Sequence, residues 1–140
     1  MVAFFDERTG LETIDRDECL WLLATLDVGR LAIVEGGRPL VFPVNYAMSG
    51  EDVVFRTAAG TKLDAADRGP VCFEVDGIDA ADRTGWSVCV SGRLEEVTAT
   101  DRRRLDALRL ATVDPWTDAP KEHWMRVVAR SITGRRIPRR

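Results

Sequence analysis

A glycine pair between two β-rich runs constrains the fold of this chain more than any other feature. The runs Val28–Glu35 and Arg38–Met48 are separated only by Gly36 and Gly37. Glycine adopts the left-handed backbone conformations that a two-residue β-turn needs, so the pattern predicts an antiparallel hairpin. A third antiparallel strand is predicted over Asp52–Thr57.

Three more strands are predicted further along the chain. Apolar residues alternate with polar or smaller ones in Val71–Val75 and in Trp86–Val90, and Trp124–Ile132 is rich in Val and Ile. A helix is predicted over residues 15–26, where Asp15 and Glu18 form a capping box. Two further helices are predicted, one over Lys62–Ala66 after Thr61 and one after Thr100 with Leu105, Leu108 and Ala111, ahead of a loop at Pro115 and Pro120.

Six mainly antiparallel strands with three peripheral helices predict an α+β protein built on a closed β-barrel. A barrel of this size has little interior room, so a cofactor is expected in a groove outside it or between subunits. The chain has 140 residues, of which 45% are hydrophobic and 31% are charged, which predicts one domain over 1–140.

Composition excludes several kinds of site. The three cysteines form no CxxC pair and are interpreted as small apolar residues in a reducing compartment. His123 is the single histidine, which excludes an HExxH zinc site, and a Ser/His/Asp triad would have to use it. The net charge is −3, and the arginine-rich stretches 102–104 and 126–140 are interpreted as solvated faces, so no nucleic acid partner is expected.

The first residues, Met1–Thr9, lack a basic-then-apolar signal pattern, and no apolar run approaches the ~20 residues of a membrane span. We therefore expect a cytoplasmic protein that does not enter a membrane.

The segment Phe55–Leu63 predicts a phosphate-binding loop between a strand and a helix. Free N–H groups at a helix start favour an anion, and Thr57 and Thr61 add hydroxyl donors. Arg56 and Lys62 add positive charge. The alternative is an ordinary turn with Thr61 as a cap and Lys62 in solvent.

Two other segments are candidates for contact with a flat ligand. Pro43 inside a strand marks an edge or bulge, where free backbone groups can bind a heterocycle that Val44 and Tyr46 cover; the alternative is an edge that proline protects from aggregation. Trp86, after Gly85, either packs on an aromatic ligand or fills core space.

The order and spacing of these segments resemble a known family, the flavin-binding split-barrel proteins similar to pyridoxamine 5'-phosphate oxidase. The resemblance runs from Asp15 to about Ile137. The segments that carry it are Val28–Ala32, Pro43–Tyr46, Phe55–Lys62, Gly85–Val88 and Ile132–Ile137.

The resemblance implies a six-stranded antiparallel split β-barrel, a homodimer with two equivalent sites at its interface, and FMN or the deazaflavin F420 as ligand. By position, it implies a set of cofactor-binding residues: Arg56, Thr57, Thr61 and Lys62 on the phosphate side, Pro43, Val44 and Asn45 on the ring side, and Trp86 and Ser87 from the partner subunit.

Two departures from the family pattern narrow the expected chemistry. The nitroimidazole-resistance branch commonly has histidine where this chain has Arg56, so no reaction that depends on that imidazole is expected. Pyridoxamine phosphate oxidases proper are longer and carry an Arg-x-His motif near the C terminus, whereas this chain ends with Arg135–Arg140. Oxidation of vitamin B6 is therefore not predicted.

The expected function is that of a flavin-dependent oxidoreductase acting on a small-molecule substrate, with the protein supplying binding, orientation and electrostatics around the flavin. One alternative is an F420-dependent reductase in which the C-terminal arginines bind the acidic tail. Another is a non-catalytic protein that stores or senses a flavin or haem. His123 is interpreted as structural rather than as a proton donor.

Overall fold

The computed structural model describes residues 5–66, 69–98 and 123–139. Within them lie two helices, α1 (Arg16–Thr25) and α2 (Thr61–Asp64). The strands are β1 (Phe5–Asp6), β2 (Leu11–Ile14), β3 (Val28–Glu35), β4 (Arg38–Asn45), β5 (Ala47–Ser49), β6 (Asp52–Thr57), β7 (Pro70–Asp79), β8 (Thr84–Val97) and β9 (His123–Ile137). The predicted helix after Thr100 and the loop at Pro115 and Pro120 lie outside the described residues.

Helix α1 follows the predicted capping pattern. The Asp15 carboxylate accepts a hydrogen bond of 2.9 Å from the backbone N–H of Glu18, which satisfies one of the free donors at a helix start. Cys19, Leu22 and Leu23 are buried on one side of the helix. The prediction for this segment is confirmed.

The β3–β4 hairpin is also confirmed. Gly36 and Gly37 have positive φ angles of 57° and 75°, and Glu35 pairs with Arg38 across the turn. The second predicted strand, however, is two strands. The Tyr46 backbone N–H donates to the carbonyl of Asp27 at 2.9 Å, just beyond the last β3–β4 pair of Val28 with Asn45, and from Ala47 the chain pairs with β6 instead.

Strand pairing forms the wall of the barrel, and among the described strands no ladder joins β4 to β5. All pairs are antiparallel, and they connect β4, β3, β7, β8, β9, β6 and β5 in that order. Because β4 and β5 are consecutive in the chain, the sheet returns to its starting point at Tyr46. The split-barrel α+β fold is therefore as predicted. The described residues contain nine strands rather than six, since β1 and β2 were not predicted and the run from Arg38 divides.

The barrel interior is filled by side chains. Its fully buried members include Leu31, Phe55, Phe73, Val88 and Met125, which come from five different strands. The Tyr46 ring meets the Phe73 ring edge-on, with centroids 4.8 Å apart. Such close packing leaves a ligand to bind outside the barrel. Neither described helix has the length and hydropathy of a membrane span.

Candidate functional site

Two of the predicted phosphate-side residues, Arg56 and Thr57, lie on opposite faces of strand β6. Alternation along the strand turns Thr57 inward, where it is 4% exposed and its hydroxyl donates to the carbonyl of Ala58 at 3.1 Å. Arg56 points to the opposite face and is exposed. Arg56 thus presents its charge to the outside, whereas the hydroxyl of Thr57 is used within the fold.

The helix after this loop is shorter than predicted. It spans only Thr61–Asp64 instead of reaching Ala66, and its first backbone hydrogen bond runs from Asp64 N–H to the carbonyl of Gly60 at 2.9 Å. A single turn sums few peptide dipoles, so an anion here depends on side chains more than on the helix. Thr61 is half-buried and lines a groove of about 180 Å³ against the β3–β4 hairpin.

Lys62 lies against the predicted ring-side strand. Its Nζ is 5.6 Å from the centroid of the Phe42 ring, and Phe42 precedes Pro43 on β4. The structure therefore brings the phosphate-side loop next to the ring-side strand, although the two segments are far apart in the sequence.

Strand β4 is the end of the pairing path among the described residues, as expected from Pro43. Pro43 is exposed and Asn45 is half-buried. Val44 and Tyr46 are 7% and 2% exposed and belong to the core, which corrects the expectation that their side chains cover a flat ring. This segment can offer a ligand its backbone, Pro43 and Asn45.

Arg56 lies beside the start of β9, whereas Trp86 and Ser87 lie beside its end. Arg56 pairs with Trp124 near the start of β9, whereas Trp86 pairs with Arg136 near its end. At about 3.3 Å per residue, these positions are roughly 40 Å apart along the strand. One chain therefore carries the two groups of predicted residues at different places.

The Trp86 indole packs on its own chain. It is half-buried and lies over Gly77, where an added Cβ would come within 2.5 Å of the indole Nε1. Ser87 points to the other face of the sheet. On the same face as Ser87, Ile78 and Ile137 flank Gly85 and are 72% and 46% exposed. This end of the sheet is thus apolar on its outer side.

Several contacts near these groups were not predicted. Arg56 lies over the ring of Trp124, 5.4 Å from the centroid. His123 Nδ1 is 2.7 Å from Glu96 Oε1, and both side chains are about one-third exposed. No sequence pattern connects these partners, because each contact depends on the pairing of strands that are distant in the chain.

The outer face of β7 carries a buried carboxyl. Glu74 Oε1 has no hydrogen-bond partner within the described residues. The pKa of Glu74 is raised to about 7, chiefly by burial and also by the Asp76 carboxyl, while the positive charge of Arg30 acts in the opposite direction. Arg30 Nη1 is 3.2 Å from Asp76 Oδ2.

The family model of pyridoxamine 5'-phosphate oxidase matches residues 15–136. The chain belongs to this family. A relative in Mycobacterium tuberculosis, itself uncharacterised, is 32% identical over 131 residues, which cover 89% of this chain and 84% of that protein.

Two solved structures of FAD-binding proteins share the fold of this family member. The protein from Mycobacterium smegmatis is 37% identical, with a TM-score of 0.77 over 90% of this chain and 99% of that one. The protein from Mesorhizobium loti is 27% identical, with a TM-score of 0.74 over 90% and 96% of the two chains.

Proposed function

We propose that this protein binds a flavin coenzyme and acts as a flavin-dependent oxidoreductase. The observation that carries the proposal is the contact of Lys62 with Phe42, which joins a cationic loop to the exposed edge of β4. Arg56 and Lys62 can only donate hydrogen bonds, and Thr61 carries a hydroxyl group that can also donate one. Such side chains fit a phosphate ester, whose oxygens accept hydrogen bonds. Pro43 and Asn45 lie along the neighbouring strand and fit the ring side.

We further propose that a second copy completes each site. Trp86 and Ser87 lie roughly 40 Å along β9 from Arg56, so a homodimer is the simplest way to combine both groups. The exposed Ile78 and Ile137, on the same face as Ser87, support this arrangement, because exposed apolar side chains gain from being covered. The unpartnered oxygen of Glu74 on the same face supports it as well, since a partner copy can supply a donor.

The proposed flavin is FMN, in line with the family resemblance. FAD is a second candidate, which the two solved FAD-binding relatives favour. The deazaflavin F420 is a third candidate, which the family resemblance of the sequence implies. These ligands share a phosphate that Arg56 and Lys62 would bind.

When bound, the flavin supplies the hydride or electron transfer. The chain's own contribution is binding and orientation. Arg56 and Lys62 would hold the phosphate, and the β4 backbone near Asn45 would hydrogen-bond the polar edge of the ring. Trp86 of the second copy would exclude water from the exposed side of the site.

Native mass spectrometry of the purified protein tests the proposal directly. We expect a dimer that carries two flavins, whose mass separates FMN, FAD and F420. Turnover with a nicotinamide electron donor would then distinguish an oxidoreductase from a flavin store. A monomer that retains a flavin at full affinity would contradict the two-copy site.

A further inference from the structure

Both cations of the candidate phosphate site lie over aromatic rings of the same chain. The Arg56 guanidinium carbon is 5.4 Å from the centroid of Trp124, and the Lys62 ammonium is 5.6 Å from the centroid of Phe42. These distances are within the range in which the face of an aromatic ring attracts a cation. The rings come from two different strands, so the two contacts are independent.

The Trp124 ring is held in place by strand pairing and packing. Trp124 pairs directly with Arg56 across β6 and β9. It also packs against a small cluster on the outer side of the sheet, whose buried members Val54 and Val97 are 1% and 6% exposed. The ring is therefore a fixed surface beside the exposed guanidinium of Arg56.

The Phe42 ring is anchored on the other side of the site. It is half-buried and packs against the main barrel core, and β4 fixes its backbone by pairing Phe42 with Leu31. Lys62, in the one-turn helix α2, reaches over it from a segment with little secondary structure of its own.

We propose that Trp124 and Phe42 are positioning residues that hold Arg56 and Lys62 ready for an anionic phosphate. The inference rests on the proposed function, since it assigns these cations to a phosphate. Long cationic side chains lose rotamer freedom when they bind a ligand. A ring that already restricts these side chains lowers that cost.

The test compares ring-retaining and ring-removing variants at Trp124. FMN and riboflavin affinities are measured by fluorescence titration for Trp124→Phe and Trp124→Leu. We expect Trp124→Leu to weaken FMN binding about two- to fivefold, the range of an exposed cation–π contact. Trp124→Phe should stay near wild type, and riboflavin affinity should change in neither variant. Trp124→Met replaces the leucine variant if the latter fails to fold.

Double variants separate positioning from general packing. If Trp124 acts through Arg56, adding Trp124→Leu to Arg56→Ala should not weaken FMN binding further. Phe42→Leu should behave in the same way with Lys62→Ala. Equal losses for FMN and riboflavin, equal effects of the phenylalanine and leucine variants, or full additivity with Arg56→Ala would each overturn the inference.

The same measurements distinguish its failure from failure of the proposed function. If Arg56→Ala and Lys62→Ala weaken FMN binding while Trp124→Leu does not, only the positioning role is lost. If neither alanine variant changes FMN affinity, or if wild type binds no flavin, the phosphate site itself is wrong and the inference falls with it.

Discussion

The two ends of β9 use aromatic residues in opposite ways. Near its start, Trp124 lies beneath the cation of Arg56. Near its end, Trp86 of the adjacent strand packs on Gly77, and the exposed Ile137 lies on the opposite face of the sheet. One end is suited to an anion and the other to apolar contact. The difference supports the proposal that a single chain carries two complementary half-sites rather than one complete site.

Removal of the positive charge of Arg56 or Lys62 should produce the largest loss of FMN affinity. The loss should come only from the end of the molecule that is suited to an anion. Arg56→Ala and Lys62→Ala should each weaken FMN binding by about 1.5 to 3 kcal/mol, or roughly ten- to 150-fold, because each removes a charge-assisted hydrogen bond to phosphate. Riboflavin, which lacks the phosphate, should bind all variants alike. Isothermal titration gives both affinities.

The matched control for these variants is Arg8→Ala, since the Arg8 side chain is 87% exposed and lies on the β1–β2 turn. It should bind FMN like wild type. Unchanged FMN affinity in both Arg56→Ala and Lys62→Ala would instead place the phosphate elsewhere.

A charge at the apolar end tests the proposed role of that end in dimer formation. Ile78→Asp should raise the dimer dissociation constant by about tenfold or more, because an unpaired carboxylate would have to leave water. Sedimentation equilibrium measures the change. Trp21→Asp serves as the control, since Trp21 is an apolar side chain that is 66% exposed on α1 rather than on the strands that carry Ile78 and Ile137. An unaltered dimer in Ile78→Asp would mean that the two copies meet elsewhere.

Trp86→Ala should affect both folding and binding. The indole loses its packing on Gly77, so the unfolding free energy of the cofactor-free protein should fall by about 1 to 2 kcal/mol, less than for a fully buried tryptophan. The stabilisation that FMN adds should also shrink. Thermal melts with and without FMN measure both effects, and stabilisation by FMN that is fully retained would remove Trp86 from the site.

The smallest expected effect is on the pH dependence of stability, through the half-buried side chain of Glu74. The folded protein binds a proton at Glu74 more tightly than the unfolded chain, because the folded-state pKa is raised from 4.5 to about 7. Stability should therefore fall as pH rises through this interval. Because Glu74 is partly exposed to solvent, the total fall should be only about 1 kcal/mol, and Glu74→Gln should abolish it.

Denaturant unfolding at several pH values measures this slope. Glu35→Gln is the control, because Glu35 is an exposed carboxyl on β3. A slope that is the same in Glu74→Gln and wild type would show that Glu74 is not the titrating group. The groups that face Glu74 are Arg30, Asp76 and Cys89 on the three central strands.

Local patterns in the sequence were sufficient to predict the parts of the fold that depend on neighbouring residues. The Gly36-Gly37 turn and the Asp15 cap are formed by residues a few positions apart. The end of β4 at Asn45 could not be predicted in this way, since β4 pairs with β3 whereas the residues from Ala47 pair with β6. The inward turn of Thr57 follows from alternation along β6, which the sequence does contain.

The candidate site was predictable only as separate segments. The family resemblance brought Arg56, Lys62 and Pro43 together, but not the aromatic rings beneath the cations. Those contacts depend on the pairing of β6 with β9 and on the reach of α2 over Phe42. Such long-range register leaves no local pattern in the sequence.

Subunit complementation tests the central claim that each site combines the two ends from different copies. The Arg56→Ala/Lys62→Ala double variant is mixed with Trp86→Ala, subunits are allowed to exchange, and FMN is titrated. A mixed dimer then holds one site with every residue intact, so about a quarter of all sites should bind with wild-type affinity. If the mixture binds only as the sum of the two defective variants, the site lies within one chain and the two-copy account is wrong.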